Sequence, residues 1–360
     1  MNKLVSAEYP SIFLNPERPV LSVEEHHLIE TMSSDIVMHT RLQAARELIQ
    51  RAAAENGALS EPRHVLIIGE SGCGKSTLLD MFSEELPPKE EVFKLGMRAQ
   101  QTALIFSLSS TITPRSMAIQ ILRALGDHSA LNGTCQELTE RLLLYIRQCN
   151  VQLIFMDEFQ HLLALGRGSA SGANKRLIEA RNWIKSIINA THVTFVLLGM
   201  PDALALIDSE QQLERRFTHL FALNPFDPPG ADHQEMVQFA DGLLTTAVSS
   251  LPTIYSAEWF SHRPDDASRL YLASGGMPSV LKDLVIRAAL IAYRAGASEI
   301  TMTHFASAFV EVRQARLEME AARIRREKRQ TLASAMKGRV LNPFTARWDE
   351  VRPLILQVAA

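Results

Sequence analysis

Two rhythms of hydrophobic residues divide the chain. Short, nearly unbroken apolar runs, Val65-Leu66-Ile67-Ile68 and the stretches 103–108, 151–156 and 193–198, have the length and composition of strands buried on both faces. Between them apolar residues recur every three or four positions. Leu42, Ala45, Leu48, Ile49 and Ala52 form one such stripe from Thr40 up to Asn56-Gly57, and Met117, Ile121, Leu122 and Leu125 form another from Thr113-Pro114 up to Gly126. A third, Leu138, Leu142 and Ile146, follows the capping box Thr134-Cys135-Gln136-Glu137, and a fourth carries Ile178, Trp183, Ile184 and Ile187. A last short strand is expected over 220–223. Strand and helix in alternation predict an α/β fold, a parallel sheet flanked by helices, with ligand at the carboxyl ends of the strands. Pro87-Pro88 and Lys89-Glu90-Glu91 read as a surface connection.

From Asp227-Pro228-Pro229-Gly230 the strands stop. Helical stretches at 234–248, 256–261, 265–273 and 280–293, and one from Thr303 that runs on toward Lys328, predict a smaller helical domain. Residues 1–39 read as an arm that wraps the main domain and ends in a helical piece at 23–33. Residues 338–360, with the turn Leu341-Asn342-Pro343-Phe344, read as a tail that orders only against a partner. The expected division is 1–39 arm, 40–228 α/β core, 229–315 helical domain and 316–360 basic helix and partner-binding tail.

Composition narrows the class. With 360 residues, 46% hydrophobic and 21% charged, the chain has material for one large and one smaller core. No run approaches the roughly 18 apolar residues of a membrane span and the start has no apolar signal core, so a cytoplasmic protein without membrane contact is expected. Cys73, Cys135 and Cys149 are too few and scattered for a disulfide framework or zinc site. A net charge of −3 gives no global nucleic-acid signature, so contact with DNA would need a local basic surface.

Chemistry concentrates in two places. Gly69-Glu70-Ser71-Gly72-Cys73-Gly74-Lys75-Ser76 is a full G-x-x-x-x-G-K-[ST] phosphate loop between a strand and the helix that Thr77 continues. Such a turn aims backbone N–H groups and a helix dipole at a polyphosphate. Lys75 then reaches the β- and γ-phosphates and Ser76 ligates Mg2+, so ATP is the expected ligand. The run 151–156 ends in Asp157-Glu158: Asp157 suits the Mg2+ shell, and Glu158 suits a base that orients water. Arg115 and Arg123 fall off the apolar face of their helix, and Lys175 and Arg176 follow the Gly/Ser loop 166–173. These four are candidate DNA phosphate contacts, or ordinary solvated residues. His39 to Arg41 either line an adenine pocket or form a solvated helix start.

In combination these blocks resemble the AAA+ ATPases, and more narrowly the TniB/TnsC family of transposition ATPases. The narrower resemblance rests on His39-Thr40-Arg41-Leu42, the phosphate loop, Asp157-Glu158-Phe159-Gln160-His161-Leu162-Leu163, Leu197-Leu198-Gly199-Met200-Pro201, Leu213-Glu214-Arg215-Arg216-Phe217 and Asn342-Pro343-Phe344. It implies a helical lid after the core, Arg215 or Arg216 as an arginine finger acting on a neighbouring subunit, and Lys282 at a lid sensor position where the family usually has arginine. The first sensor position falls at Gly199-Met200, which has no polar side chain, so slow hydrolysis used as a timer is expected. The resemblance further implies a homo-oligomer (hexameric ring, heptamer or filament) on double-stranded DNA, a TniQ-like target selector and a DDE transposase as partners. The basic cluster Arg323, Arg325, Arg326, Lys328 and Arg329 is expected to engage the transposase or a targeting partner. A helicase loader and a nucleotide-gated scaffold that does not hydrolyse ATP share many of these features and stand as alternatives.

Overall fold

In a computed structural model the apolar runs assemble into one five-stranded parallel sheet: β1 (Val65–Gly69), β4 (Ala103–Ser107), β5 (Leu153–Asp157), β6 (Thr194–Gly199) and β7 (His219–Leu223), in the order β4-β5-β6-β1-β7. The structure describes residues 21–358 except 57, 60, 94–95, 109–112, 128, 167–172, 209–210, 229–233 and 315–340. The described residues fall into two compact units, one within Ile36–Phe239 and Ser274–Leu281, the other within residues 21–35, 240–273, 282–314 and 341–358.

In the first unit the two-residue period of a strand sorts side chains to opposite faces of the sheet. Leu66, Leu104, Ile154, Phe195 and Leu197 pack on one face against α4 (Pro114–Ala124), α5 (Cys135–Gln148) and α7 (Ala173–Ala190). Val65, Ile67, Phe155, Val196 and Leu198 pack on the other against α2 (Thr40–Asn56) and α3 (Lys75–Glu85). Both faces are covered, as all-parallel sheets require. The expected capping box is present: Thr134 N–H donates to Glu137 at 2.7 Å, and Glu137 N–H donates to Thr134 Oγ1 at 3.3 Å. Thr113 caps α4 in the same way, with Ser116 as its partner.

Two local expectations are corrected. The supposed surface connection after Pro88 is an antiparallel hairpin, β2 (Lys89–Phe93) with β3 (Gly96–Gln100), made by backbone ladder bonds to which its charged residues give no apolar clue. The stretch 256–261 is not a helix: β8 (Ser256–Ala257) pairs with β9 (Glu299–Ile300), and a single 3-10 turn follows at Phe260–His262.

In the second unit α1 (Val23–Ser34) is capped by Ser22 and tied by Glu25 to Arg294 at 2.5 Å, within α12 (Pro278–Arg294). α13 (Met302–Phe309) passes into a wider turn over Val310–Gln314, and the basic cluster 323–329 lies outside the described residues. The turn Asn342-Pro343-Phe344 is seated on the chain's own helices rather than waiting for a partner. Asn342 Nδ2 donates to Ala306 O at 2.8 Å, the Phe344 ring lies 5.7 Å from Phe305, and Arg269 donates to Pro343 O and Ala346 O while stacking over Trp348 at 5.5 Å. A last helix, α14, spans Trp348–Val358. Among the described residues no helix is long and apolar enough to cross a membrane.

Candidate nucleotide site

β1 delivers the chain to the phosphate loop, and glycine is required at three points of the turn. A Cβ on Gly69 would lie 2.5 Å from Leu223 O, and one on Gly72 would lie 2.2 Å from Ser279 Oγ. Gly72 and Gly74 have φ of 88° and 99°, and Gly74 is the N-cap of α3 with no side-chain cap, so the first N–H groups of α3 lack intrahelical acceptors. Lys75 is buried, and its ammonium donates to Gly69 O at 2.5 Å and Glu70 O at 2.9 Å. Cys73 packs its sulfur 3.4 Å from Met277 Sδ, and burial raises its thiol pKa, so it is a packing residue and not a nucleophile. Glu70, Ser71 and Ser76 line the same turn; Glu70 and Ser76 are exposed and Thr77 is half-buried.

Asp157 ends β5. Burial pushes its pKa up, the N–H of Glu158 on its Oδ1 at 2.8 Å pulls it down, the neighbouring Glu158 charge raises it, and the Lys75 ammonium lowers it. One carboxylate with the Ser76 hydroxyl matches Mg2+, which keeps most of its waters and takes phosphate oxygens for the rest. The glycine cradle, Lys75 and this donor pair therefore fit Mg-ATP.

Glu158 has φ 57°, a left-handed backbone that an ordinary residue adopts only when its surroundings impose it. Its Oε2 accepts from Gln160 Nε2 at 2.6 Å, with His161 Nε2 3.5 Å away. Gln160 Oε1 in turn accepts from Met200 N–H at 3.0 Å. A Cβ on Gly199 would lie 2.8 Å from Gln160 Oε1 and 3.0 Å from Ala203 Cβ. Gln160 thus bridges the Glu158 carboxylate to the end of β6, in the space that a side chain at 199 would take. Motif spacing assigns Gln160 no role, since only tertiary pairing brings 160 to 200.

Arg215 is exposed and Arg216 half-buried; both follow α9 (Gln211–Glu214) and precede β7. His64 N–H donates to Arg216 O at 2.8 Å, so the pair sits at the amino end of the β1/β7 ladder. Arg63, which the sequence motifs pass over, lines a cavity of about 260 Å3 together with Arg215 and Arg216. β1 separates these arginines from the phosphate loop by its five residues, about 17 Å at 3.3 Å per residue.

His39 and Arg41 are not a solvated helix start. His39 is 8% exposed, edge-on to Phe226 at 5.0 Å and Phe239 at 5.6 Å, with its pKa lowered by burial against the opposing pull of Glu235. Arg41 bonds Glu235 at 3.1 Å, Asp227, and the carbonyls of Asn224 and Pro225. Of the candidate DNA contacts, Arg115 donates to Leu131 O at 2.7 Å, Lys175 lies 3.9 Å from Glu179, and Arg123 and Arg176 are exposed. The Gly/Ser loop beside them lies largely outside the described residues. Lys282, in the helical unit, donates to Ser33 O and Asp35 O at 3.2 Å each, and burial lowers its pKa.

A phosphate loop at the carboxyl edge of a β4-β5-β6-β1-β7 parallel sheet, with a helical C-terminal region, defines an AAA+ P-loop fold. Solved structures share it. The ORC1 protein of Aeropyrum pernix in complex with DNA is 18% identical, with a TM-score of 0.50 over 82% of this chain and 72% of that one. The Aeropyrum pernix ORC2 protein in ADPNP-ADP complexes is 16% identical, with a TM-score of 0.51 over 79% and 71%. Cdc6p from Pyrobaculum aerophilum is 17% identical, with a TM-score of 0.50 over 79% and 70%. The family model described as "Bacterial TniB protein" matches residues 29–227, more than half of the chain, and the chain belongs to that family. No curated protein matches it by sequence.

Proposed function

We propose that this protein is an ATP-dependent regulator of DNA transposition. It assembles on double-stranded target DNA with ATP bound, takes its position from a TniQ-like selector, recruits and activates a DDE transposase, and leaves the DNA as ATP is hydrolysed. TniB membership supports the transposition role, and the DNA-bound ORC1 neighbour supports the DNA contact. One observation carries the reading: Lys75, Asp157 and Glu158 stand at the carboxyl ends of the strands while Arg215 and Arg216 stand at the amino ends. The arginines cannot reach their own chain's loop, so a complete site takes one end from each of two copies.

In that site the loop N–H groups and Lys75 bind the phosphates, Ser76 and Asp157 hold Mg2+, and Glu158 orients and deprotonates water. Mg2+, when bound, neutralises charge on the phosphates. Arg215 or Arg216 of the neighbouring copy stabilises charge on the transferring group, a contribution of roughly 10³ to 10⁵ in rate where such fingers are known. Electron microscopy of the protein with linear duplex and a non-hydrolysable ATP analogue tests the assembly. Rings or filaments that scale with DNA length are expected, stabilised with ATP by Glu158→Gln and abolished by Lys75→Ala alone. Absence of DNA-dependent assembly would sink the reading, and ordinary phosphate release by Glu158→Gln would remove Glu158 from its role.

A further inference from the structure

The cavity at the amino ends of β1 and β7 holds three cationic side chains, Arg63, Arg215 and Arg216, with Glu61 and Thr218 at the same opening. Among the described residues none of the three guanidinium groups has a hydrogen bond or a carboxylate partner, unlike Arg41, Arg46 or Arg294 of the same chain. Three positive charges against the one carboxylate of Glu61, which pairs with none of them, leave the cavity net positive, and an anionic ligand offsets that charge.

The backbone beneath them is held firmly. Asn56, 7% exposed, accepts from Arg63 N–H at 2.6 Å and donates to Arg63 O at 2.8 Å, and its second amide hydrogen goes to Thr194 Oγ1 at 2.6 Å. One residue on, the His64–Arg216 backbone bond ties this segment to the Arg215-Arg216 pair, with the His64 ring packed 5.1 Å from Phe217. The held main chain fixes where these side chains start, and their guanidinium forks, Arg63 and Arg215 exposed and Arg216 half-buried, match phosphate geometry.

We propose that Arg63 joins Arg215 and Arg216 as a third donor to the terminal phosphates of a nucleoside triphosphate bound on a second copy of this chain. This rests on the shared-site reading above. The test uses full-length Arg63→Ala and Arg63→Gln proteins on duplex DNA with ATP. The expected loss in kcat is about a hundredfold, the scale of one preorganised donor, with KM, melting temperature and assembly size little changed. Arg63→Lys keeps part of the rate. Mixing Arg63→Ala subunits with Lys75→Ala subunits, which retain Arg63, restores hydrolysis, as does the same mixing with Arg215→Ala/Arg216→Ala.

Rescue of the double variant alongside a wild-type rate for Arg63→Ala would overturn the role of Arg63 and leave the shared site standing. That role falls equally if Arg63→Ala is inactive but not rescued while the double variant is, or if its only defect is weaker DNA binding without nucleotide. Failure to rescue either variant, with assembly intact, would overturn the shared site itself.

Discussion

Gln160 ties chemistry to fold through a single amide. Its NH2 group holds the Glu158 carboxylate and its oxygen holds Met200 N–H, so that carboxylate is positioned by the end of β6. The motif of adjacent carboxylates is legible in the sequence because it depends on residues one position apart. The bridge is not, because residues 160 and 200 meet only once β5 and β6 pair. Gln160→Leu keeps the bulk but lets the carboxylate turn, so kcat should fall by about tenfold with KM unchanged, less than the roughly 10² to 10⁴ that a general base itself contributes, because Gln160 only positions it. Single-turnover hydrolysis against ATP-analogue binding checks it; an equal change in both would make Gln160 a binding residue. The polar side chain missing at Gly199 also acquires a reason, since Gln160 occupies that space.

At the scale of elements, His64 shows how a residue just outside a strand locks two of them. It extends the β1/β7 register, which pairs Val65 with His219, by donating its N–H to Arg216 O, and its Nδ1 accepts from Phe195 N–H at 3.2 Å. Its Nε2 is buried without a hydrogen-bond partner among the described residues. Burial, helped by the Arg216 charge, lowers its pKa from 6.5 to about 3, so the ring stays neutral in the folded protein. Between those values the unfolded chain binds the extra proton and the folded chain does not, so stability falls as pH drops from 6.5 toward 3, by up to about 1.4 kcal/mol per unit. Denaturant unfolding of wild type and His64→Gln across that window should show a shallower pH slope in the variant; equal slopes would refute the assignment. The elements themselves are largely legible, since each buried strand and amphipathic helix carries its own period. The β2/β3 hairpin and the β8/β9 pair are not: two-residue strands and charged ladders draw on backbone bonds that leave little mark on side-chain pattern.

For the whole molecule the decisive fact is polarity: parallel strands put the phosphate loop at one end of the sheet and the arginines at the other. Hydrolysis that needs both ends from different copies must depend on association. Specific ATPase rate per subunit should therefore rise with protein concentration and with added duplex DNA, measured by phosphate release; a rate constant across dilution would contradict the shared site. The sequence by itself determined the alternation of buried strands and helices, the glycine-lined loop and the Asp157-Glu158 pair, because periodicity, turn chemistry and short motifs are local. Only the tertiary structure decided that Arg63 stands with Arg215 and Arg216, that Gln160 reaches Met200, and that the turn at Asn342 seats on Ala306. The physical reason is range: these contacts join residues from 36 to more than 150 positions apart, and strand register and helix packing, not any local pattern, bring them together.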